Sequence, residues 1–232
     1  MAMNIPTNTP LQQQIDEFIA EGASWLPAGL LQDLLSPIGQ LINSGATGKA
    51  FKEGAQAPDF TLPDVRGNVV MLSQLLTQGP VVMTFYRGQW CPYCHLVLRA
   101  YQRALPQLQA WGASLVAISP QTPDHSLLLS EKLKLTFLVL SDVGNQVARQ
   151  FGLVFTLDEA VRDAHKQVDA NLPTFNGNDS WELPMAGTFL VDPSGTVRLA
   201  FVDPDFTRRL DPYVIIARLD ELQDEREEST TS

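Results

Sequence analysis

Apolar positions follow two rhythms along this 232-residue chain. Near the N-terminus they recur at helical spacing. Leu11, Ile15, Phe18 and Ile19 share one face, and Leu30, Leu31, Leu34 and Leu35 share a second. Ser36-Pro37 then predicts an N-cap and a new helix start carrying Ile38, Leu41 and Ile42, closed by Gly45 and Gly48. From residue 54 short apolar runs alternate with helical stretches. Val81 to Tyr86, Leu115 to Ile118 and Phe137 to Leu140 predict buried strands. Helices are predicted from 92 to about 111, from Asp124 to Leu133, after the Ser141-Asp142 cap with Val147 and Phe151, and over 157–168. A polar loop rich in Asn and Gly follows, from Asn171 to Asp179. Thr188 to Val191 and Val197 to Phe201, joined by Asp192-Pro193-Ser194-Gly195, predict a β-hairpin, and a last helix spans about 212–223.

This order predicts an α/β fold, a three-layer sandwich with a mixed central sheet, over residues 54–223. Residues 1–53 form a helical extension, and 224–232 a charged, flexible tail. The extension is too short to fold alone, so it must pack on the main domain or on a second copy. A homodimer formed through it is one expectation.

Composition narrows the setting. The net charge of −10 argues against a nucleic-acid surface. No apolar run approaches the ~20 residues needed to span a membrane. Met1 to Pro6 has no basic region followed by an apolar core, so a signal peptide is not expected, and the cytoplasm is the default.

The chain holds two cysteines, and both lie in Phe85-Tyr86-Arg87-Gly88-Gln89-Trp90-Cys91-Pro92-Tyr93-Cys94. The dithiol therefore falls between a buried strand and a helix N-terminus. Pro92 suits the first helical position, Cys91 the N-cap, and Cys94 the first turn. Both sulfurs should face unpaired helix N–H groups and the positive end of the dipole, which favours thiolate. In a reducing compartment this reads as a cycling dithiol rather than a staple. The same residues with His95 match the c-type haem pattern, which belongs outside the cytoplasm. A structural zinc site needs four ligands, and only His95, His125 and His165 could add to the pair. An inert pair of core thiols is the remaining alternative. No cofactor and no metal are expected.

The chain resembles the AhpC/TSA-type peroxiredoxin-like branch of the thioredoxin fold over about residues 54–213. The resemblance rests on Gly54-Ala55-Gln56-Ala57-Pro58-Asp59-Phe60-Thr61-Leu62, Leu140-Ser141-Asp142 with Phe151-Gly152, and Thr188-Phe189-Leu190-Val191-Asp192. Phe85 to Cys94 and Val202 to Arg209 resemble the dithiol subgroup. It implies a thiol peroxidase that takes hydroperoxides and is re-reduced by thioredoxin, glutathione or a similar thiol. Aligned with peroxiredoxins, Cys94 attacks peroxide and Cys91 resolves; by thioredoxin logic Cys91 attacks first. Cys91 stands where peroxiredoxins usually keep a threonine, Ala186 where many keep an arginine, and Thr84 where thioredoxins keep a buried acid. Pro184 is the substitute candidate for the proline that faces a thioredoxin dithiol. Arg87 is the first candidate cation, against the alternative of a solvated loop arginine; Arg208 and Arg209 are further candidates. His95 lies off the Cys94 face by about 100° of helix. Trp90 and Tyr86 are candidate pocket walls, with plain core as the alternative. A thiol–disulfide oxidoreductase and a non-enzymatic redox sensor are the alternative functions.

Overall fold

The computed structural model describes residues 9–22 and 25–230. Its centre is a five-stranded sheet in the order β5-β4-β3-β8-β9. The strands are β3 (Val81–Phe85), β4 (Ser114–Ser119), β5 (Leu138–Ser141), β8 (Ala186–Val191) and β9 (Val197–Asp203). β3, β4 and β5 run parallel, whereas β8 is antiparallel to both β3 and β9. The sheet is thus mixed, as the pattern predicted.

Period-two alternation sorts the residues of β3 between two cores. Val82 and the following Tyr86 join the helices α1 (Leu11–Gly22), α4 (Pro92–Ala110), α5 (Pro123–Leu133) and α9 (Pro212–Thr230) on one face. Val81, Met83 and Phe85 face the other layer. That layer holds the hairpin β1 (Thr61–Pro63) with β2 (Val69–Met71) and the short helices α3 (Leu72–Leu76) and α6 (Gln146–Gln150). Three layers result, in a thioredoxin-like arrangement. The predicted hairpin pairs Val191 with Val197, and Asp192 Oδ1 closes its turn by accepting from the Ser194 and Thr196 amides at 2.9 and 3.1 Å.

Four expectations need correction. First, Pro37 does not start a helix: α2 runs unbroken over Ala28–Ser44. A proline here leaves the Asp33 carbonyl without its helical donor, and the Ser36 hydroxyl donates to that carbonyl instead, at 2.9 Å. Second, the loop expected over 171–179 contains the short helix α8 (Leu172–Asn176). Third, the last helix continues to Thr230, through most of the stretch expected to fray. Fourth, a two-stranded ribbon of β6 (Val154–Thr156) and β7 (Glu182–Pro184) was not foreseen. It flanks α7 (Glu159–Gln167).

The extension finds its groove on this same chain. Leu11 and Ile15 of α1 are buried against α4 and α9. The Leu11 amide donates to Asp211 at 3.0 Å, and Arg103 donates to Gln14 at 3.4 Å. α2 packs on α7, where Gln40 donates to Asp158 at 2.7 Å. The end of the extension then crosses the main domain at Gly152. Its φ is +71°, and a Cβ there would collide with the Lys49 carbonyl.

Candidate active site

β3 ends at Phe85 in the middle of the sheet, and the chain turns through 86–91 before α4 begins at Pro92. This places the dithiol at the carboxyl edge of the central strand, as expected. Cys91 is the N-cap residue, Pro92 the first helical residue, and Cys94 lies one turn in. Both thiols are free and almost wholly buried, at 1% and 0% exposure.

The connecting loop wraps over Cys94. The Arg87 amide donates to Cys94 Sγ at 3.4 Å. The Cys91 side chain makes no cap hydrogen bond, and the amide that meets Cys94 Sγ is that of Arg87 in the loop. The loop is held by Tyr86 N–H to Ile118 O at 2.9 Å and by Gln89 N–H to Gln121 Oε1 at 2.6 Å. Gly88, at φ +151°, lets the turn close: a Cβ there would sit 2.6 Å from Trp90 Nε1.

The two sulfurs are unequal. Burial raises the Cys94 pKa, but hydrogen bonding from Cys91, the Arg209 charge, the Arg87 amide and the Arg87 charge outweigh it. Cys94 is left well below the usual thiol range and carries the charge. Cys91 moves the opposite way, because burial and its role as donor to Cys94 hold its proton.

Arg87 is not a solvated loop residue. It is 3% exposed, and its guanidinium lies between the rings of Trp90 and Phe206, 4.9 and 4.1 Å from their centroids. Its Nη2 donates to His165 Nε2 at 3.3 Å. His165 Nδ1 lies 2.8 Å from the Val161 carbonyl, which can only accept, so Nδ1 carries the proton and Nε2 the lone pair. Burial and the Arg87 charge push the His165 pKa down to about 4, so the ring is neutral. His165 was not singled out as a site residue. Its signal is position i+4 from buried Val161 on α7.

Arg209 supplies a second guanidinium. Its Nε donates to the Phe206 carbonyl at 2.8 Å, and its Nη2 reaches Cys94 Sγ at 3.9 Å. Arg209, Ala186 and Gly187 line one small void. The charge absent from Ala186 on β8 thus arrives from the segment after β9, across the space the small residues leave. Arg208 instead points to solvent, 3.9 Å from Asp205.

Other candidates fall elsewhere. Trp90 lines the cavity beside Cys91. Tyr86 does not; it is a core residue, with burial raising its phenol to about 12. Its hydroxyl faces Ser119 and Ser126 but makes no hydrogen bond of good geometry. Pro184 is also a correction. It pairs with Val154 in the ribbon and is not among the cavity-lining residues, and no described residue has a cis peptide bond. Thr84 Oγ1 lies 3.1 Å from Thr188 Oγ1, a neutral pair in place of a buried acid. His95 Nε2 donates to the Gln89 carbonyl at 2.6 Å and serves the loop rather than a sulfur. Among the described residues no group of three His, Cys, Asp or Glu is placed to hold a metal ion.

Fold and site together define a thioredoxin-fold protein with a buried, charge-polarised dithiol. The chain belongs to the AhpC/TSA family, whose pattern it matches over residues 54–200. It is 33% identical over 118 residues to the chloroplastic peroxiredoxin Q of Sedum lineare, covering 51% of this chain and 62% of that protein. It is 33% identical over 103 residues to peroxiredoxin Bcp of Escherichia coli K12, covering 44% and 65%. The matches therefore span less than two thirds of these relatives. Among solved structures, the peroxidoxin BcpB of Mycobacterium tuberculosis superposes with a TM-score of 0.58 at 24% identity, covering 74% of this chain and 97% of that one.

Proposed function

We propose that this chain is a thiol peroxidase. The observation that carries the reading is the setting of Cys94: its buried sulfur accepts from the Arg87 amide at 3.4 Å and lies 3.9 Å from Arg209 Nη2, one helical turn from Cys91. The Cys94 thiolate attacks the terminal oxygen of a hydroperoxide. The S–O bond forms as the O–O bond breaks, and the departing alkoxide or hydroxide takes up a proton. Cys94 is then a sulfenic acid. The guanidiniums of Arg87 and Arg209 supply donors and positive charge where negative charge moves onto oxygen. Cys91 next attacks the sulfenic sulfur, giving a Cys91–Cys94 disulfide and water. An external dithiol such as thioredoxin, or glutathione, restores the pair by exchange.

The cytoplasm, where such reductants hold thiols reduced, is part of the proposal. Support comes from the two cysteines themselves, which form one C-x-x-C pair of the kind that cycles where thiols are held reduced.

A second reading rests on one observation: Cys91 lines the cavity, whereas Cys94 is not among its lining residues. That favours disulfide exchange beginning at Cys91. Against it, Cys91 is the protonated sulfur, and a thiol buried to 1% exposure is closed to a bulky protein disulfide.

The test is peroxide consumption with dithiothreitol as reductant, followed by mass spectrometry after one equivalent of peroxide. Consumption with an intramolecular disulfide supports the peroxidase. Reduction of insulin without peroxide consumption would put exchange in its place.

A further inference from the structure

Arg87 is a buried cation that pairs with no carboxylate among the described residues. Burying a charge without an opposite one is costly. Here the opposite charge is that of the dithiol, which favours the guanidinium while burial works against it. Everything else around the guanidinium is neutral. It lies between the rings of Trp90 and Phe206, and His165 Nε2 meets its Nη2 at 3.3 Å. The His165 ring stands edge-on to Trp90, with centroids 5.2 Å apart, and closes the box.

The box is anchored from α7. Asp158 caps that helix by accepting from the Val161 amide at 2.9 Å, and Gln40 of α2 donates to the same carboxylate at 2.7 Å. One turn on, the Val161 carbonyl accepts from His165 Nδ1 at 2.8 Å. That bond fixes the tautomer and leaves Nε2 as an acceptor. A run of hydrogen bonds thus leads from α2, along α7, to the edge of Arg87.

We propose that His165 is a positioning residue for peroxide reduction: as a neutral acceptor it holds the Arg87 guanidinium in place without cancelling its charge, which then serves the Cys94 sulfur and the oxygen departing from the peroxide. The inference rests on the thiol-peroxidase reading and deepens it, because it assigns the orientation of one of the two guanidiniums to a residue of α7 that touches neither sulfur.

The experiment uses the full chain with hydrogen peroxide as oxidant and three substitutions, His165→Leu, His165→Gln and His165→Glu. The readouts are the rate constant for Cys94 oxidation, the pH midpoint of iodoacetamide alkylation and the melting temperature. His165→Leu removes the acceptor and should slow oxidation about tenfold. His165→Gln keeps a neutral acceptor and should recover most of that loss. His165→Glu keeps an acceptor but adds a negative charge. It should slow oxidation as much as His165→Leu, and raise the Cys94 midpoint by about half a unit or more. An imidazole that merely packs would give losses that follow the melting temperatures, with the midpoint unmoved. That pattern, equal losses in His165→Leu and His165→Gln, or the wild-type rate in His165→Glu would each overturn the inference and leave the peroxidase standing. One check needs no variant to fold. NMR of the histidine ring nitrogens in the reduced wild type should show His165 protonated at Nδ1 and bare at Nε2 at neutral pH, and a proton on Nε2 would sink the inference. Failure of the wild type to consume peroxide would overturn the peroxidase reading itself, and the inference with it.

Discussion

Arg87 and His165 form a buried pair in which only one member is charged. The guanidinium donates to a histidine whose tautomer is fixed by the Val161 carbonyl. A carboxylate in that place would orient Arg87 equally well but cancel its charge. A neutral acceptor, 78 residues from Arg87 in sequence, leaves the charge free to act on the dithiol.

The pair gives stability an acid limb. The His165 pKa falls from 6.5 to about 4 on folding, so between those values the unfolded chain binds more protons. Its contribution is fully present above pH 6.5 and is lost as the pH falls toward 4. At 1.36 kcal/mol per unit, the loss is on the order of 3 kcal/mol. Urea midpoints measured from pH 7 to pH 4 should show this decline, and His165→Gln should flatten it. An unchanged slope in the variant would mean that other groups govern acid unfolding.

Arg209 makes a separate prediction. An opposite charge within a few ångströms lowers a pKa by about 1–3 units, so Arg209→Ala should raise the Cys94 midpoint by about that much. Iodoacetamide alkylation against pH would read it. Peroxide reduction at neutral pH should slow accordingly. Arg87→Ala should slow it too, and should also lower the melting temperature, because the ring stack between Trp90 and Phe206 loses its filling. A midpoint unmoved by Arg209→Ala would assign the low Cys94 pKa to the Cys91 thiol and to the amide and charge of Arg87.

What could be read in the sequence was local. The strand-to-helix placement of Cys91 and Cys94 follows from an apolar run, a proline and helical spacing within 30 residues. The Asp192 to Gly195 hairpin follows from turn chemistry. What could not be read was long-range. Arg209 stands as a candidate only beside Arg208 and after Arg87, and nothing local chooses it as the partner of Cys94, 115 residues earlier. The β6–β7 ribbon joins strands of three residues each, too short for a period to show. Pro37 read as a break because the rule for prolines is local, whereas the hydroxyl that repairs the break belongs to the preceding residue.

Gly88 should tolerate no side chain. Gly88→Ala sets a methyl 2.6 Å from Trp90 Nε1 and 3.2 Å from Gln121 Oε1, at a φ of +151°. Strain of this kind costs on the order of 1–3 kcal/mol. Relief would require Trp90 to leave Arg87, so thermal stability and the peroxide rate should fall together. Retention of both would show that the 86–91 turn can adopt another path.

The division of labour between the sulfurs carries the last prediction. The charge belongs to Cys94, but the cavity stops at Cys91, so reactivity and access point to different atoms. Thiolate character decides the chemical step, because a protonated thiol is a poor nucleophile toward peroxide. Access decides only whether a small oxidant can pass one side chain. Cys94→Ser should therefore abolish the initial oxidation. Cys91→Ser should keep it and lose the disulfide, and the unresolved sulfenic acid should advance to sulfinic acid under excess peroxide. Cys91→Ser should also raise the Cys94 midpoint, since the thiol donating to that sulfur is replaced by a hydroxyl on a shorter bond. Mass spectrometry of each variant after one and after ten equivalents of peroxide separates these outcomes. Oxidation surviving in Cys94→Ser but lost in Cys91→Ser would reverse the assignment and make the cavity-lining sulfur the nucleophile.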